Sequence, residues 1–189
     1  RAGLIGLVPS MESWGIAARD LKDIVSVMAA VTGRDDRDFS MPDEDIPDFT
    51  ADAGDGLRNA AVVKEMLSLL TDAERRDFQT GLAEIERAGV RVREVSLPEF
   101  DLFRCVHQVI AGTEASSSAG KYDGVRYGHR SSESRNWNEM YLNSRGESFG
   151  PLVKAFLFQG AYFQFENYEA FENACRIRRR LVRAVTGLF

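Results

Sequence analysis

Residues 71–98 read TDAERRDFQTGLAEIERAGVRVREVSLP, and this stretch decides the fold class. Thr71-Asp72-Ala73-Glu74 is a capping-box pattern, in which the threonine hydroxyl and the glutamate carboxylate satisfy the free amides of a starting helix. The predicted helix runs over 72–88 with Phe78, Leu82 and Ile85 on its inward face, and Gly89 ends it. Val90, Val92 and Val95 then alternate with Arg91, Arg93 and Glu94 as a half-buried strand does, and Pro98 closes that strand. Upstream, residues 57–63 read as a short buried strand; downstream, a second helix is predicted from about Glu99 to Ser117. Strand, helix, glycine, strand and helix in that order make an α/β unit on an open sheet.

Further out, Leu21, Ile24, Val25, Met28 and Val31 recur at helical spacing, which predicts an amphipathic helix over 17–32 with Gly33 as its left-handed cap. Residues 34–56 hold Pro42, Pro47 and the acids Asp43, Glu44, Asp45, Asp48, Asp52 and Asp55, so they are expected to form an exposed acidic connector. The last third reads as mainly helical. Leu152 to Phe165 is dense in Phe and Leu and predicts a buried helix, followed by a long helix from Tyr168 to Val185 with an arginine-rich face. Phe156, Phe158, Tyr162, Phe163 and Phe165 exceed the three or four residues that one stripe of roughly 100° holds in two turns, so they are expected to be covered by the rest of a fold or by a partner.

The chain has 189 residues, 44% hydrophobic and 28% charged, which fits one domain over 1–189. No run approaches the roughly 20 apolar residues of a membrane span, and Arg1-Ala2-Gly3 begins no charged-then-apolar signal segment. A net charge of −5 disfavours a nucleic-acid-coating role. Arg176, Arg178, Arg179, Arg180 and Arg183 nevertheless crowd one segment, which leaves open an RNA contact beside the ordinary reading of a salt-bridged helix face. Cys105 and Cys175 lie far apart, so neither a disulfide framework nor a zinc knuckle is expected, and a reducing compartment fits. His107 sits in an apolar helical stretch and is read as a core histidine, whereas His129 could titrate near neutral pH. No His, Cys or carboxylate spacing meets a coordination pattern, and neither metal nor cofactor is expected.

The run Glu114-Ala115-Ser116-Ser117-Ser118-Ala119-Gly120-Lys121-Tyr122-Asp123-Gly124-Val125-Arg126-Tyr127-Gly128 resembles a motif of the A subunits of glutamyl-tRNA(Gln) amidotransferases, which belong to the amidase signature family. There it reads Glu-Ala-Ser-Ser-Asn, three variable residues, then Tyr-Asp-Gly-Val-Arg-Tyr-Gly. Ser10 to Asp23 is similar to a Ser-x-Asp-x-x-Gly-Pro-x-x-Arg-x-x-x-Asp segment of that family, and Arg145-Gly146-Glu147-Ser148-Phe149-Gly150 to its Arg-Ser-Glu-Gly-Phe-Gly. Gly33 to Asp38, Pro47-Asp48-Phe49 and Tyr168 to Arg178 resemble further segments in the same order. Departures include Ile16 and Asp36 in place of prolines and Ser118 in place of asparagine.

The resemblance implies a partial amidase-signature-like α/β fold, a mixed sheet covered by helices. It also implies hydrolysis of glutamine by a Ser, cis-Ser, Lys triad, carried by an early lysine and a Gly-Gly-Ser-Ser-Gly loop. Neither occurs among these residues, so no catalytic residue is assigned and the chain is expected to be inactive by itself. Ser116-Ser117-Ser118 beside Lys121 align with a non-catalytic segment. Tyr127 and Arg178 fall where the family contacts glutamine, Arg178 opposite its carboxylate; a one-residue gap in the alignment leaves Arg179 open for that role. Two roles follow: the amidase-like region of an A subunit in a tRNA-dependent amidotransferase, or a degenerate pseudo-amidase kept as a structural subunit of a large mitochondrial assembly such as a ribosome or respiratory complex. Both imply obligate protein partners, with a location on the mitochondrial matrix side, or in the cytoplasm of a bacterium.

Overall fold

A computed structural model describes residues 3–38, 41, 43–50 and 56–189. Strand β1 (Asn59–Val63) pairs in parallel with β2 (Arg91–Val95), in register from Asn59 opposite Arg91 to Val63 opposite Val95. A parallel pair requires a crossover, which α2 (Lys64–Leu67) and α3 (Asp72–Arg87) supply. The α/β reading holds, and the sheet among the described residues is this one pair. Both halves of the capping box at Thr71 form, with the Thr71 N–H donating to Glu74 Oε2 at 2.8 Å. Gly89 adopts φ 90°, the left-handed conformation that lets the chain reverse directly into β2. Glu65 of α2 then fastens the far end of β2, accepting from Ser96 Oγ at 2.5 Å and from the Leu97 N–H at 2.9 Å. On α3, Leu82 is half-buried whereas Phe78 and Ile85 remain exposed, because two strands offer a helix of 16 residues little to cover.

Helix α1 (Leu21–Val31) begins later than its apolar spacing predicts, since the Asp20 side chain accepts from the Lys22 N–H at 2.7 Å and caps it there. It closes at Thr32 in an extended conformation, so Gly33 is not the left-handed cap its position suggests. Among the described residues of 34–56 no helix or strand forms, and Arg34 pairs with Asp43 at 2.6 Å across the segment. Asp52 and Asp55 lie outside the described residues.

The core lies among helices. Val106 and Ile110 of α4 (Phe100–Ser118) pack with Ala174 and Leu181 of α7 (Tyr168–Thr186). Between them in sequence come α5 (Trp137–Ser148) and α6 (Pro151–Phe165). Helices α4 and α6 cross at Gly112 and Gly160, so closely that a Cβ on Gly160 would lie 1.8 Å from the Gly112 carbonyl oxygen. Two expectations fail here. His107 is exposed, because α4 turns Val106 and Ile110 inward and His107 lies about 100° round from Val106. Helix α6 is not a buried helix: Gly160 is its one buried residue, while Leu152, Phe158 and Phe165 are 87%, 80% and 75% exposed. No helix of the described residues is long and apolar enough to cross a membrane.

Candidate functional site

Beyond α4 a 3-10 turn, Ala119–Lys121, leads into a tight turn over residues 122–131. Asp123 organises it: its Oδ1 accepts from the N–H of Val125 at 2.8 Å and of Arg126 at 3.0 Å, the geometry by which an aspartate stands in for a backbone turn. Those two amides, helped by the Arg126 charge, hold the Asp123 carboxyl below the usual carboxylate range. Gly124, at φ 73°, donates to the Tyr127 carbonyl at 3.1 Å. No other residue fits there, since a Cβ would lie 2.8 Å from Ser144 Oγ and 2.9 Å from the His129 carbonyl oxygen.

Helix α5 is the platform on which this turn rests. The Asn136 side chain caps it by accepting from the Glu139 N–H at 3.0 Å. Its buried Ser144 accepts from the Ser131 N–H at 3.0 Å and donates to Met140 Sδ at 3.4 Å. Arg145 spans back to the Ala119 carbonyl at 2.7 Å, so the start of the turn is held as well. Glu147 engages both of its oxygens: Oε2 lies 2.5 Å from His129 Nε2, and Oε1 accepts from Ser131 Oγ at 2.8 Å. These two bonds, His129 first, place the Glu147 carboxyl below the usual carboxylate range.

The turn and the end of α5 enclose a cavity of about 340 Å³ lined by Tyr122, Tyr127, Gly128, His129, Glu147 and Phe149. Tyr127, one of the two residues expected to bind substrate, therefore stands in a cavity wall. The cavity offers aromatic surface, an imidazole and a carboxylate together.

A scan of family models matches the one described as Amidase to residues 1–189. The chain belongs to the amidase family. It is 33% identical over its whole length to the A subunit of the glutamyl-tRNA(Gln) amidotransferase of Lactobacillus gasseri, of which it covers 40%. Over 94% of its length it is 34% identical to the corresponding protein of Ligilactobacillus salivarius, covering 38% of that protein, and over 97% it is 33% identical to that of Pseudomonas fluorescens, covering 39%. The chain thus spans about two fifths of the length of the curated relatives it matches.

In this amidase-family chain Arg178 stands apart from the cavity that holds Tyr127; it is not among that cavity's lining residues. Four residues after Ala174 and three before Leu181, it falls on the inward side of α7, where it donates to Ser10 Oγ at 2.8 Å. The Ser10 N–H in turn donates to Glu114 Oε2 at 2.9 Å, so the N-terminal segment is tied between α4 and α7. Arg179 is exposed. Arg176, Arg179, Arg180 and Arg183 form the outward stripe, in which Arg180 pairs with Glu99 and Arg176 bonds Asn173 at 2.8 Å. Lys121 donates to the Gly6 carbonyl at 2.5 Å, an anchoring bond for the N-terminal segment instead of an approach to Ser116.

Sequence reasoning missed the platform. Its strongest available signal was Asn136 three residues before Glu139, a helix start that would have put Ser144 and Glu147 on one helix facing the turn.

Proposed function

We propose that this chain is the amidase-like region of the A subunit of a tRNA-dependent amidotransferase, in which glutamine supplies the amide group passed to a misacylated tRNA. The observation that carries the reading is the docking of residues 122–131 onto α5, with Gly124 seated against Ser144 and both His129 and Ser131 bonded to Glu147. The two segments that meet there carry motifs that resemble those of the A subunits, and relatives bearing that name match the chain from end to end. Tyr127 contributes a substrate contact from the cavity wall; Arg178, outside that wall, exchanges its bond to Ser10 for the substrate carboxylate. A Ser-Lys amidase needs a nucleophile beside a deprotonated partner and an oxyanion hole. With Lys121 bound to a carbonyl, the Ser116–Ser118 run lacks such a partner, and the hydrolytic residues come from outside these 189. As the word subunit in the relatives' name suggests, the chain works with protein partners.

Glutamine-dependent ammonia release by the protein in its native assembly tests this. Arg178→Ala is expected to raise KM for glutamine roughly tenfold or more, the loss of a charged contact, and Tyr127→Ala to raise it less, the loss of a neutral one. The 189-residue chain alone is expected to release none. Serine-dependent hydrolysis by the chain alone, or an unchanged KM in both variants, would overturn the reading.

A further inference from the structure

The two oxygens of Glu147 reach the C-terminal end of the loop that frames the cavity, one at His129 and one at Ser131, while Tyr127 lies two residues before His129 in the cavity wall. We propose that Glu147 is a positioning residue for the cavity wall carrying Tyr127, acting through His129 and Ser131 as a latch between the turn and α5. Its role toward substrate rests on the amidotransferase reading above; the latch itself does not.

The bond to His129 is charge-assisted on both sides only while the imidazole is protonated and the carboxylate ionised. Other charges around it are already engaged. Asp123 and Arg126 face each other at 3.5 Å, Arg130 lies 5.4 Å over the Trp137 ring, and Arg145 reaches the Ala119 carbonyl. From the cavity side the phenols of Tyr122 and Tyr127 line the same wall as the pair. The latch is lost in acid, as the Glu147 carboxyl takes up its proton.

Hydrogen exchange of residues 122–131, read by mass spectrometry on the protein as purified and corrected for intrinsic rates, tests the proposal. Protection is expected to fall roughly three- to tenfold as the pH drops through the lowered range of the Glu147 carboxyl. Glu147→Gln, which keeps a hydrogen-bonding amide without the charge, is expected to abolish that difference, with residues 100–118 unchanged. His129→Gln, at an exposed ring, gives the same test should the first variant fold poorly. Equal protection of the wild-type segment above and below that range, or a pH difference kept by a folded variant, would overturn the proposal. L-glutamine titrated into the same samples separates the two readings: a latch without glutamine binding counts against the amidotransferase reading alone.

Discussion

Helices α6 and α7 adjoin in sequence and reverse the usual relation between composition and burial. Helix α6 carries Leu152, Val153, Phe156, Leu157, Phe158, Tyr162, Phe163 and Phe165, yet buries only Gly160. Helix α7 carries five arginines and three glutamates or asparagines in its first turns, yet buries Ala174 and Leu181 in the core beside Val106 and Ile110. Periodicity separates them. Apolar residues of α7 fall on one side and most of its arginines on the other, so one orientation satisfies both. Those of α6 surround the helix, so whichever face meets α4 leaves apolar surface on the other. What fixes α6 is an absence of side chain, the Gly112–Gly160 crossing.

The largest expected effect tests that crossing. Gly160→Ala would normally favour a helix by about 1 kcal/mol through propensity alone. Here its Cβ would lie 1.8 Å from the Gly112 carbonyl oxygen and 2.3 Å from its carbon, both backbone atoms that cannot step aside singly. The helices must separate, and a loss of at least about 3 kcal/mol in chemical denaturation is expected. A neutral or stabilising Gly160→Ala would mean that side chains, not backbone contact, hold α6 in place.

Next comes Leu181, 2% exposed on the polar helix. Leu181→Ala is expected to cost about 2–4 kcal/mol through lost transfer energy and the cavity left behind. Denaturation midpoints check this, and a smaller loss than truncation of the exposed Phe158 of α6 causes would invert the comparison.

These helices also show how far the sequence carries. The 71–98 stretch announced its helix, glycine and strand because each signal is local: a capping box, a left-handed glycine and an alternation of two. The exposure of α6 and of His107 was not legible, because burial depends on which neighbour arrives and at what angle. At the candidate site Tyr127 could be named from its motif, and it does line the cavity. Ser144 and Glu147, which hold that wall, sit 13 and 16 residues beyond the Ser131 they bond, and no local pattern pairs them.

Helix α3 is a third case, with no buried residue and a complete capping box. Thr71→Ala is expected to cost about 1 kcal/mol, seen as a lower thermal midpoint. The cap is also expected to weaken in acid. The Thr71 hydroxyl and then its N–H hold the Glu74 carboxyl below the usual range, so their stabilisation is complete above the ordinary glutamate value and is lost as pH falls through the lowered one. A wild-type and variant difference that stays constant into strong acid would remove Glu74 from the cap.

Phe158 is the counterpart of Leu181: apolar, yet 80% exposed. Phe158→Ser is expected to change stability by no more than about 0.5 kcal/mol while raising solubility. A loss comparable to that of Leu181→Ala would show that this face is packed in solution.

The smallest expected effect concerns the outward stripe of α7. Arg180 reaches Glu99 across from the start of α4, with Nε donating to Oε2 at 2.8 Å, while its side chain remains 66% exposed. Such a pair gains modest Coulomb energy in high dielectric and must hold two long side chains in one geometry, so Arg180→Gln is expected to cost only a few tenths of a kcal/mol. The difference should shrink further in about 1 M salt, where the Debye length falls to roughly 3 Å. Leu181, its neighbour in sequence, should show no such salt dependence, because dispersion and burial are not screened. Denaturation of both variants at low and high salt therefore separates the two sides of one helix. A salt-insensitive loss above about 1.5 kcal/mol for Arg180→Gln would place that guanidinium in a desolvated contact and end the assignment of the stripe to solvent.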